Sequence, residues 1–190
     1  KAEDQFKNVI QKTDLKDQEL SDWADKAEKM RTNFDKDTLM YEQHDGFFDY
    51  PHLDLNKLTE DDIPIYDNWP YLKIFRYDML KQPDVLLLLF FFSNEYSKEC
   101  KLKNYEYYEE RCIHESSLSP AIHSIMAAEL DKHDGAYEFF KYATRLDLDD
   151  YNRNAAIGLH VTSMAAAWMN IVFGFGGMRS DGKLLSFEPS

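Results

Sequence analysis

The fold is decided by an apolar run that follows a proline, KQPDVLLLLFFF at residues 81–92. Pro83 suits the first turn of a helix, because the backbone N–H that proline lacks would have no partner there in any case. The sequence therefore predicts a helix over residues 84–92, with Lys81 and Gln82 just before its start. The run is too short to cross a bilayer, which needs about 20 residues, so we expect this helix to be buried in a protein core.

Apolar residues at helical spacing predict further helices on both sides of this run. We expect them at about residues 1–14, 17–30, 96–111, 119–130 and 135–146, and from Thr162 or Ser163 onward. Ser119 suits the N-cap of one of them and Pro120 its first turn, and Gly135 is expected to turn the chain into the next. The apolar side of the last helix is formed by Met164, Trp168, Ile171 and Val172. Because strands and helices do not alternate, the sequence predicts an all-α toroid or bundle.

Residues 34–69 break the helical pattern, with Gly46 and prolines interrupting aromatic side chains. A loop of this length inside a compact domain is usually functional, and in a toroid of helical hairpins such loops build a pocket at one end. A second irregular feature, the cluster Gly174, Gly176 and Gly177, follows a helix and so predicts a helix end and turn. It is not expected to bind phosphate.

Charge narrows the possible partners. The sequence has 22 Lys and Arg against 35 Asp and Glu, a formal net charge of -13, which repels nucleic acid and anionic membrane surfaces.

Cys100 and Cys112 are expected to be free thiols in a reducing cytoplasm, since no secretion signal is visible. A chain that opens on Lys1 and stops at Ser190 on a turn-like stretch is expected to be part of a longer polypeptide.

Two segments place polar groups at the mouths of helices. The first, HESSLSP at residues 114–120, contains three hydroxyls, and the second, GLHVTS at residues 158–163, contains an imidazole and two hydroxyls. Together with the free N–H groups of a helix start, these side chains suit an anion. Ordinary helix caps beside a core histidine would have the same pattern, so spacing alone leaves both interpretations open.

Lys81 and Gln82 supply a charged donor and an amide that suit sugar hydroxyls, although such a pair is equally typical of a solvated surface. The aromatics Phe47, Phe48, Tyr50 and Trp69 suit either stacking on a sugar ring or core packing. No nucleotide-binding glycine motif and no metal motif occurs in the sequence. His114, His123, Glu115 and Asp84 are only scattered possible ligands, so we expect no metal.

Five ordered motifs make the sequence recognisable. They are EQHDGFFD at residues 42–49, YDMLKQPDV at 77–85, HESSLSP at 114–120, RLDLDDYN at 145–152 and GLHVTSMA at 158–165. Together they resemble the inverting glycoside phosphorylases, the family that includes maltose, kojibiose, nigerose and trehalose phosphorylases, and they are most similar to its maltose phosphorylases. The resemblance extends from about Tyr41 to near the end of the chain.

The resemblance implies the second half of an (α/α)6 barrel, without the β-sandwich, the first half of the barrel and the C-terminal β-domain of such enzymes. It implies cleavage of maltose by phosphate to glucose and β-D-glucose 1-phosphate, with no cofactor. By resemblance Lys81 and Gln82 bind the glucosyl unit, and Glu115 orients a sugar hydroxyl or the phosphate-binding groups. The resemblance also implies that phosphate is bound by Ser116, Ser117, His160, Thr162 and Ser163. The general acid, a glutamate, is expected before Lys1. The isolated chain is therefore expected to be inactive and to need the rest of its polypeptide. Enzymes of this family are commonly homodimers, so a homodimer is also possible here.

Two alternatives remain from the sequence. A hydrolase of the same clan, such as a trehalase, would need a carboxylate base near His160, where the sequence has Gly158, Thr162 and Ser163 instead. A catalytically silent helical fragment is the other.

Overall fold

The computed structural model describes residues 12–13 and 15–190, and the chain divides into two units, residues 1–32 and 33–190. The first unit contains helix α1 (Asp17–Lys29), which confirms the helix predicted at residues 17–30. The helix predicted at residues 1–14 falls almost wholly outside the described residues.

The second unit is helix-rich, with two small sheets. It begins with strands β1 (Phe34–Asp35) and β2 (Met40–Tyr41) and the 3-10 turns Phe47–Asp49 and Leu55–Lys57. Next come helices α2 (Ile65–Asn68), α3 (Tyr71–Ile74) and α4 (Asp84–Phe91), the 3-10 turn Ser93–Glu95, and helices α5 (Lys98–Glu109), α6 (Ser119–Glu129), α7 (His133–Arg145) and α8 (Val161–Met169). The unit ends with the π-helix Asn170–Phe175 and strands β3 (Met178–Ser180) and β4 (Leu185–Phe187). Each sheet is an antiparallel pair, β1 with β2 and β3 with β4.

Helix α6 is the centre of the main core. Every residue from Ser119 to Ala128 is buried, and a helix without a polar face is typical of a core position. Helix α4 packs in the same cluster through Leu86 and Leu89, both 0% exposed. The apolar run that decided the fold is therefore a buried helix, as predicted.

The π-helix after α8 packs against α6, and Gly174 lies beside Ile125 of that helix. A Cβ at Gly174 would lie 3.5 Å from the Cα of Ile125. Along the other side of this helical segment Val161, Met164, Trp168 and Ile171 are each more than half exposed. The sequence predicted Met164, Trp168 and Ile171 to lie on one apolar side of the last helix.

A buried ion network joins β3 to the core. The Glu129 carboxylate accepts hydrogen bonds from Lys101 and from Arg179, the latter with 2.5 Å between Nη2 and Oε2, and from the Ser93 hydroxyl at 2.9 Å. Burial raises the pKa of Glu129, but the bonds from the two cations outweigh it and the pKa is lowered. Glu129 therefore stays ionised inside the protein.

The loop predicted at residues 34–69 is ordered around a second, smaller core. Ile65, Ile74 and Met79 form this core, and Trp69 packs against it. Phe47 instead belongs to the main core and is 2% exposed. For Phe47 and Trp69 the structure favours core packing over sugar stacking.

Several predicted boundaries are wrong. Gly135 does not precede its helix but lies inside α7, which begins at His133, and Leu118 rather than Ser119 takes the N-cap position of α6. Helix α5 begins at Lys98, where the Ser97 hydroxyl caps it by accepting from the Cys100 N–H, and α8 begins at Val161. The purely α-helical prediction also missed the two small sheets. Among the described residues, no helix has the length and apolar character needed to cross a membrane.

Candidate functional site

A short backbone ladder brings two of the predicted site segments together. The Leu80 N–H donates to the Arg111 carbonyl over 2.8 Å, and the Ile113 N–H donates to the Leu80 carbonyl over 3.0 Å. Leu80 and Cys112 thus form an isolated parallel bridge. Because side chains that follow such a bridge on the two strands lie close together, residues 81–82 and 114–116 become neighbours.

A hydrogen bond between these segments joins two residues that the family resemblance assigns to different substrates. The Ser116 hydroxyl donates to Gln82 Oε1 over 3.3 Å and accepts from the Leu118 N–H over 3.2 Å. Ser116 is buried and Ser117, beside it, is partly buried. The predicted sugar-binding and phosphate-binding groups therefore meet directly at Gln82 and Ser116.

A cleft of about 270 Å³ opens next to this contact. Lys81 and Glu115 line it together with Tyr66, Tyr142 and Tyr151. The size is close to the lower end for small-molecule sites, and a few polar groups among aromatic walls are typical of them. A second cleft of about 370 Å³ is lined by Lys81, Gln82 and the residues of the loop around Phe47, so Lys81 lies where the two clefts adjoin.

Glu115 shapes the first cleft through the backbone. Its two carboxylate oxygens accept from the N–H groups of Ile65 (2.5 Å) and Tyr66 (3.1 Å). This capping of α2 fixes Tyr66, whose ring lies 4.5 Å from the Lys81 ammonium. Glu115 therefore holds two cleft residues in place while it lines the cleft itself.

Aromatic residues form the far wall. Tyr142 and Tyr151 stack with their ring centroids 4.6 Å apart and 9° between their planes, and the Tyr142 hydroxyl donates to the His114 carbonyl over 3.2 Å. Burial, with smaller effects from Tyr151 and Glu115, raises the pKa of Tyr142 to about 12. Tyr142 thus remains a neutral hydrogen-bonding group that joins α7 to the segment after α5.

His160 takes the N-cap position of α8 and is fixed by Asp147. One carboxylate oxygen of Asp147 accepts from the His160 N–H (2.8 Å), and the other contacts ring Nδ1 (2.5 Å). These hydrogen bonds from His160, the side-chain bond first, lower the pKa of Asp147. Because an ionised carboxylate only accepts, Nδ1 carries hydrogen and Nε2 faces away from this contact.

Asp147 lies in the motif RLDLDDYN at residues 145–152, which was recognised from the sequence, but no role in the site was predicted for it. The available signal was its place in an acidic turn, 13 residues before His160.

The remaining predicted residues are two hydroxyl residues of α8, predicted to bind phosphate, and two aromatic residues, predicted to stack on sugar or pack in the core. Thr162 is exposed at the start of α8. Ser163 is 3% exposed, and its hydroxyl donates to the Ala143 carbonyl over 2.7 Å, so its proton is used in packing α8 against α7. Of the aromatics proposed for sugar stacking, Phe48 packs edge-on against Tyr107, and Tyr50 lines the second cleft.

Comparison with known proteins confirms the resemblance drawn from the five motifs. Residues 1–169 match the family described as glycosyl hydrolase family 65, central catalytic domain. The chain is 43% identical over 184 residues to the α,α-trehalose phosphorylase of Thermoanaerobacter brockii, and 41% identical over 176 residues to the maltose phosphorylase of Bacillus subtilis strain 168. These matches cover 97% and 93% of the chain but 24% and 23% of the relatives.

A solved structure assigned as a kojibiose phosphorylase from the human microbiome has the same fold over this region. It superposes with a TM-score of 0.88 and 47% identity, and the match covers 97% of this chain and 25% of that one. The chain thus spans about a quarter of the length of the proteins it matches. On the family match and these identities, the chain belongs to glycosyl hydrolase family 65.

Proposed function

We propose that the chain is the C-terminal half of an (α/α)6 catalytic barrel in a glycoside phosphorylase. The enzyme cleaves maltose with inorganic phosphate, inverts the anomeric carbon and releases glucose and β-D-glucose 1-phosphate. Family membership and relatives named as phosphorylases support this proposal. Phosphate is the second substrate, and the reaction uses no cofactor.

The contact between Gln82 and Ser116 is the observation that carries the proposal. Phosphorolysis requires the phosphate to lie next to the anomeric carbon of the glucosyl unit, in the position where a hydrolase would bind water. Gln82 orients the glucosyl unit, and Ser116 binds phosphate by turning its hydroxyl proton from Gln82 Oε1, 3.3 Å away, to a phosphate oxygen. The two substrates are then held in one position for reaction.

His160 contacts the phosphate through Nε2, which accepts from a P–OH group because Nδ1 already carries the ring hydrogen, and Asp147 is its positioning residue. Ser117 and Thr162 add hydroxyls, while Ser163 contributes by packing since its proton is already donated to Ala143. Phosphate is an anion at neutral pH and needs no base, so one acid for the leaving glucose completes the chemistry. In our proposal a glutamate from the part of the domain that precedes Lys1 supplies it.

Lys81 and Glu115 complete the glucosyl site. The Lys81 ammonium lies over Tyr66, whose backbone Glu115 holds, so the lysine is positioned before the sugar arrives. We assign Lys81 to a sugar hydroxyl, and Glu115 to the support of this lysine as well as to a hydroxyl within the cleft.

The exposed face of Val161, Met164, Trp168 and Ile171 supports the proposal that this chain works as half of a domain. Four large apolar side chains in a row on one helical segment are typical of a surface that another element covers. We assign this role to the first half of the barrel. The isolated chain is then expected to lack catalytic activity and to associate with another copy through this face. A monomeric chain that melts cooperatively would argue against the assignment.

The test uses the polypeptide with its whole catalytic domain, called the complete enzyme below. It is incubated with maltose, with and without phosphate, and glucose and glucose 1-phosphate are both measured. We expect equal amounts of the two products and only when phosphate is present; glucose without phosphate would identify a hydrolase. Parallel reactions with trehalose and kojibiose decide the linkage, since the relatives are named for all three sugars.

A further inference from the structure

Three possible metal ligands converge behind the phosphate-binding segment. Cys112, His114 and His123 each offer one ligand atom, and these atoms all lie within 4.8 Å of one another. Cys112 is 2% exposed and His123 is 0% exposed. None of the three has a role in the proposed phosphorolysis.

The hydrogen bonding of His123 leaves one ring nitrogen with a lone pair that could bind a cation. Its Nδ1 lies 2.8 Å from the Ser119 carbonyl, which can only accept, so Nδ1 carries the hydrogen. Nε2 therefore has a free lone pair, and it is buried without a hydrogen-bond partner. A histidine that donates one ring N–H to a backbone carbonyl while the other nitrogen binds metal is the usual arrangement at metal sites.

His114 has the same unsatisfied atom. Its Nδ1 contacts the Ser119 hydroxyl at 3.1 Å, and its Nε2 is likewise buried without a partner. The backbone of His114 has φ of 53°, a conformation that non-glycine residues rarely adopt and that often marks functional sites. The two imidazole centroids are 4.6 Å apart with an 80° angle between the rings, and Phe139 packs against both.

Two buried ring nitrogens without hydrogen-bond partners are costly, at about 1–3 kcal/mol for each such group. A neutral imidazole has a lone pair on one ring nitrogen, and that nitrogen is Nε2 in His114 when its Nδ1 donates to Ser119. A cation would satisfy both nitrogens at once, with the thiol of Cys112 as its third ligand.

We propose that Cys112, His114 and His123 form a binding site for a thiophilic d10 cation, Cu⁺ or Zn²⁺. Bonds of about 2.0–2.3 Å place ligand atoms roughly 3.5–4 Å apart. Since the ligand atoms lie within 4.8 Å of one another, each separation needs to shorten by at most about 1.3 Å. As the metal–sulfur bond forms, the Cys112 thiol loses its proton to solvent. The thiolate with Cu⁺ is neutral overall, whereas Zn²⁺ leaves one positive charge in a buried site, so Cu⁺ is the better match.

From the sequence, His114 and His123 were only scattered possible ligands and Cys112 was not among them, because these residues do not follow a metal motif. Cys112 is part of the backbone bridge with Leu80, His114 follows it by two positions, and His123 comes from the second turn of α6. The prediction of no metal rested on spacing along the chain, and the folded structure supplies the proximity that spacing did not.

The test counts ions in the complete enzyme. The enzyme is stripped with a chelator under reducing conditions, titrated separately with buffered Zn²⁺ and buffered Cu⁺, and analysed for bound metal by mass spectrometry. The variants are Cys112→Ser and His123→Gln, and Cys100→Ser, the other buried cysteine, is the matched control. We expect the first two to bind one ion per chain fewer than the control. Their affinity should fall by more than the ~10–100-fold that loss of a supporting partner costs.

A second measurement separates ligation from simple damage to the fold. Co²⁺ loaded into the unsubstituted enzyme and into Cys100→Ser should give a thiolate-to-cobalt charge-transfer band that Cys112→Ser lacks. If all variants and the unsubstituted enzyme bind the same number of ions, or if no charge-transfer band forms, the proposal is wrong. Because neither readout depends on turnover, failure here would leave the proposed phosphorolysis intact.

Discussion

Replacing Ser116 with alanine tests the proposed phosphate site most sharply. When phosphate binds, the hydroxyl turns its proton from Gln82 Oε1 to a phosphate oxygen. Ser116 is only 7% exposed, so this hydrogen bond is little weakened by solvent. A hydrogen bond to a charged group contributes about 1.5–3 kcal/mol, and each 1.36 kcal/mol is about tenfold in rate. We therefore expect kcat/KM for phosphate to fall about 10–150-fold in Ser116→Ala.

The assay follows glucose 1-phosphate release by the complete enzyme while phosphate and disaccharide are varied separately. The loss should fall mainly on the phosphate parameters, since the neutral contact of Ser116 with Gln82 contributes less, about 0.5–1.5 kcal/mol. A double-mutant cycle with Gln82→Ala should show coupling, because the two side chains touch at 3.3 Å.

Ser97→Ala is the matched control. Ser97 caps α5, where it accepts from the Cys100 N–H, so its loss should cost about 1 kcal/mol of stability and leave the phosphate parameters unchanged. The reasoning is refuted if Ser116→Ala keeps its phosphate kinetics within about threefold, well below the expected effect, or if Ser97→Ala changes them equally.

Three further substitutions test particular contacts. Asp147→Asn should raise KM for phosphate by up to about 100-fold through a misplaced His160, with little change in thermal stability, and steady-state kinetics check this. Glu129→Gln leaves two buried cations without their carboxylate and should cost about 3 kcal/mol in urea unfolding of the catalytic domain. Since the folded-state pKa of Glu129 is lowered, that contribution is present above the ordinary carboxyl pKa and is lost as the pH falls, so the difference between variant and parent should shrink in acid. Gly177→Ala places a Cβ 1.9 Å from a backbone oxygen, whereas Gly182→Ala at a similar positive φ meets nothing within 4 Å; calorimetry should show a much larger loss of Tm for the first.

The helices that position the site were predictable where the sequence has one strong signal. The proline and apolar run at residues 83–92 gave α4, and helical spacing gave α1 and α5–α8 within a few residues. The predicted helix start at Gly135 was wrong because glycine often lies outside helices. In the structure Gly135 lies inside α7, where an added Cβ would meet only the Tyr105 hydroxyl at 3.9 Å.

The contacts that make the site were not predictable in the same way. Gln82 meets Ser116 because of the bridge between Leu80 and Cys112, a long-range pairing of single residues that no periodicity records. Asp147 reaches His160 across an acidic turn, and nothing in the spacing distinguishes it from the neighbouring Asp149 and Asp150. The motifs identified the segments, and only the fold identified which side chains within them touch.

The configuration of the sugar phosphate tests the central claim most directly. In the proposed reaction, phosphate held by Ser116 beside the glucosyl unit attacks from the face opposite the leaving glucose, and the first product is then the β-anomer. Proton NMR of the complete enzyme acting on maltose and phosphate at early times should show β-D-glucose 1-phosphate and an equal amount of glucose. The α-anomer as first product, or glucose formed at the same rate without phosphate, would contradict the account.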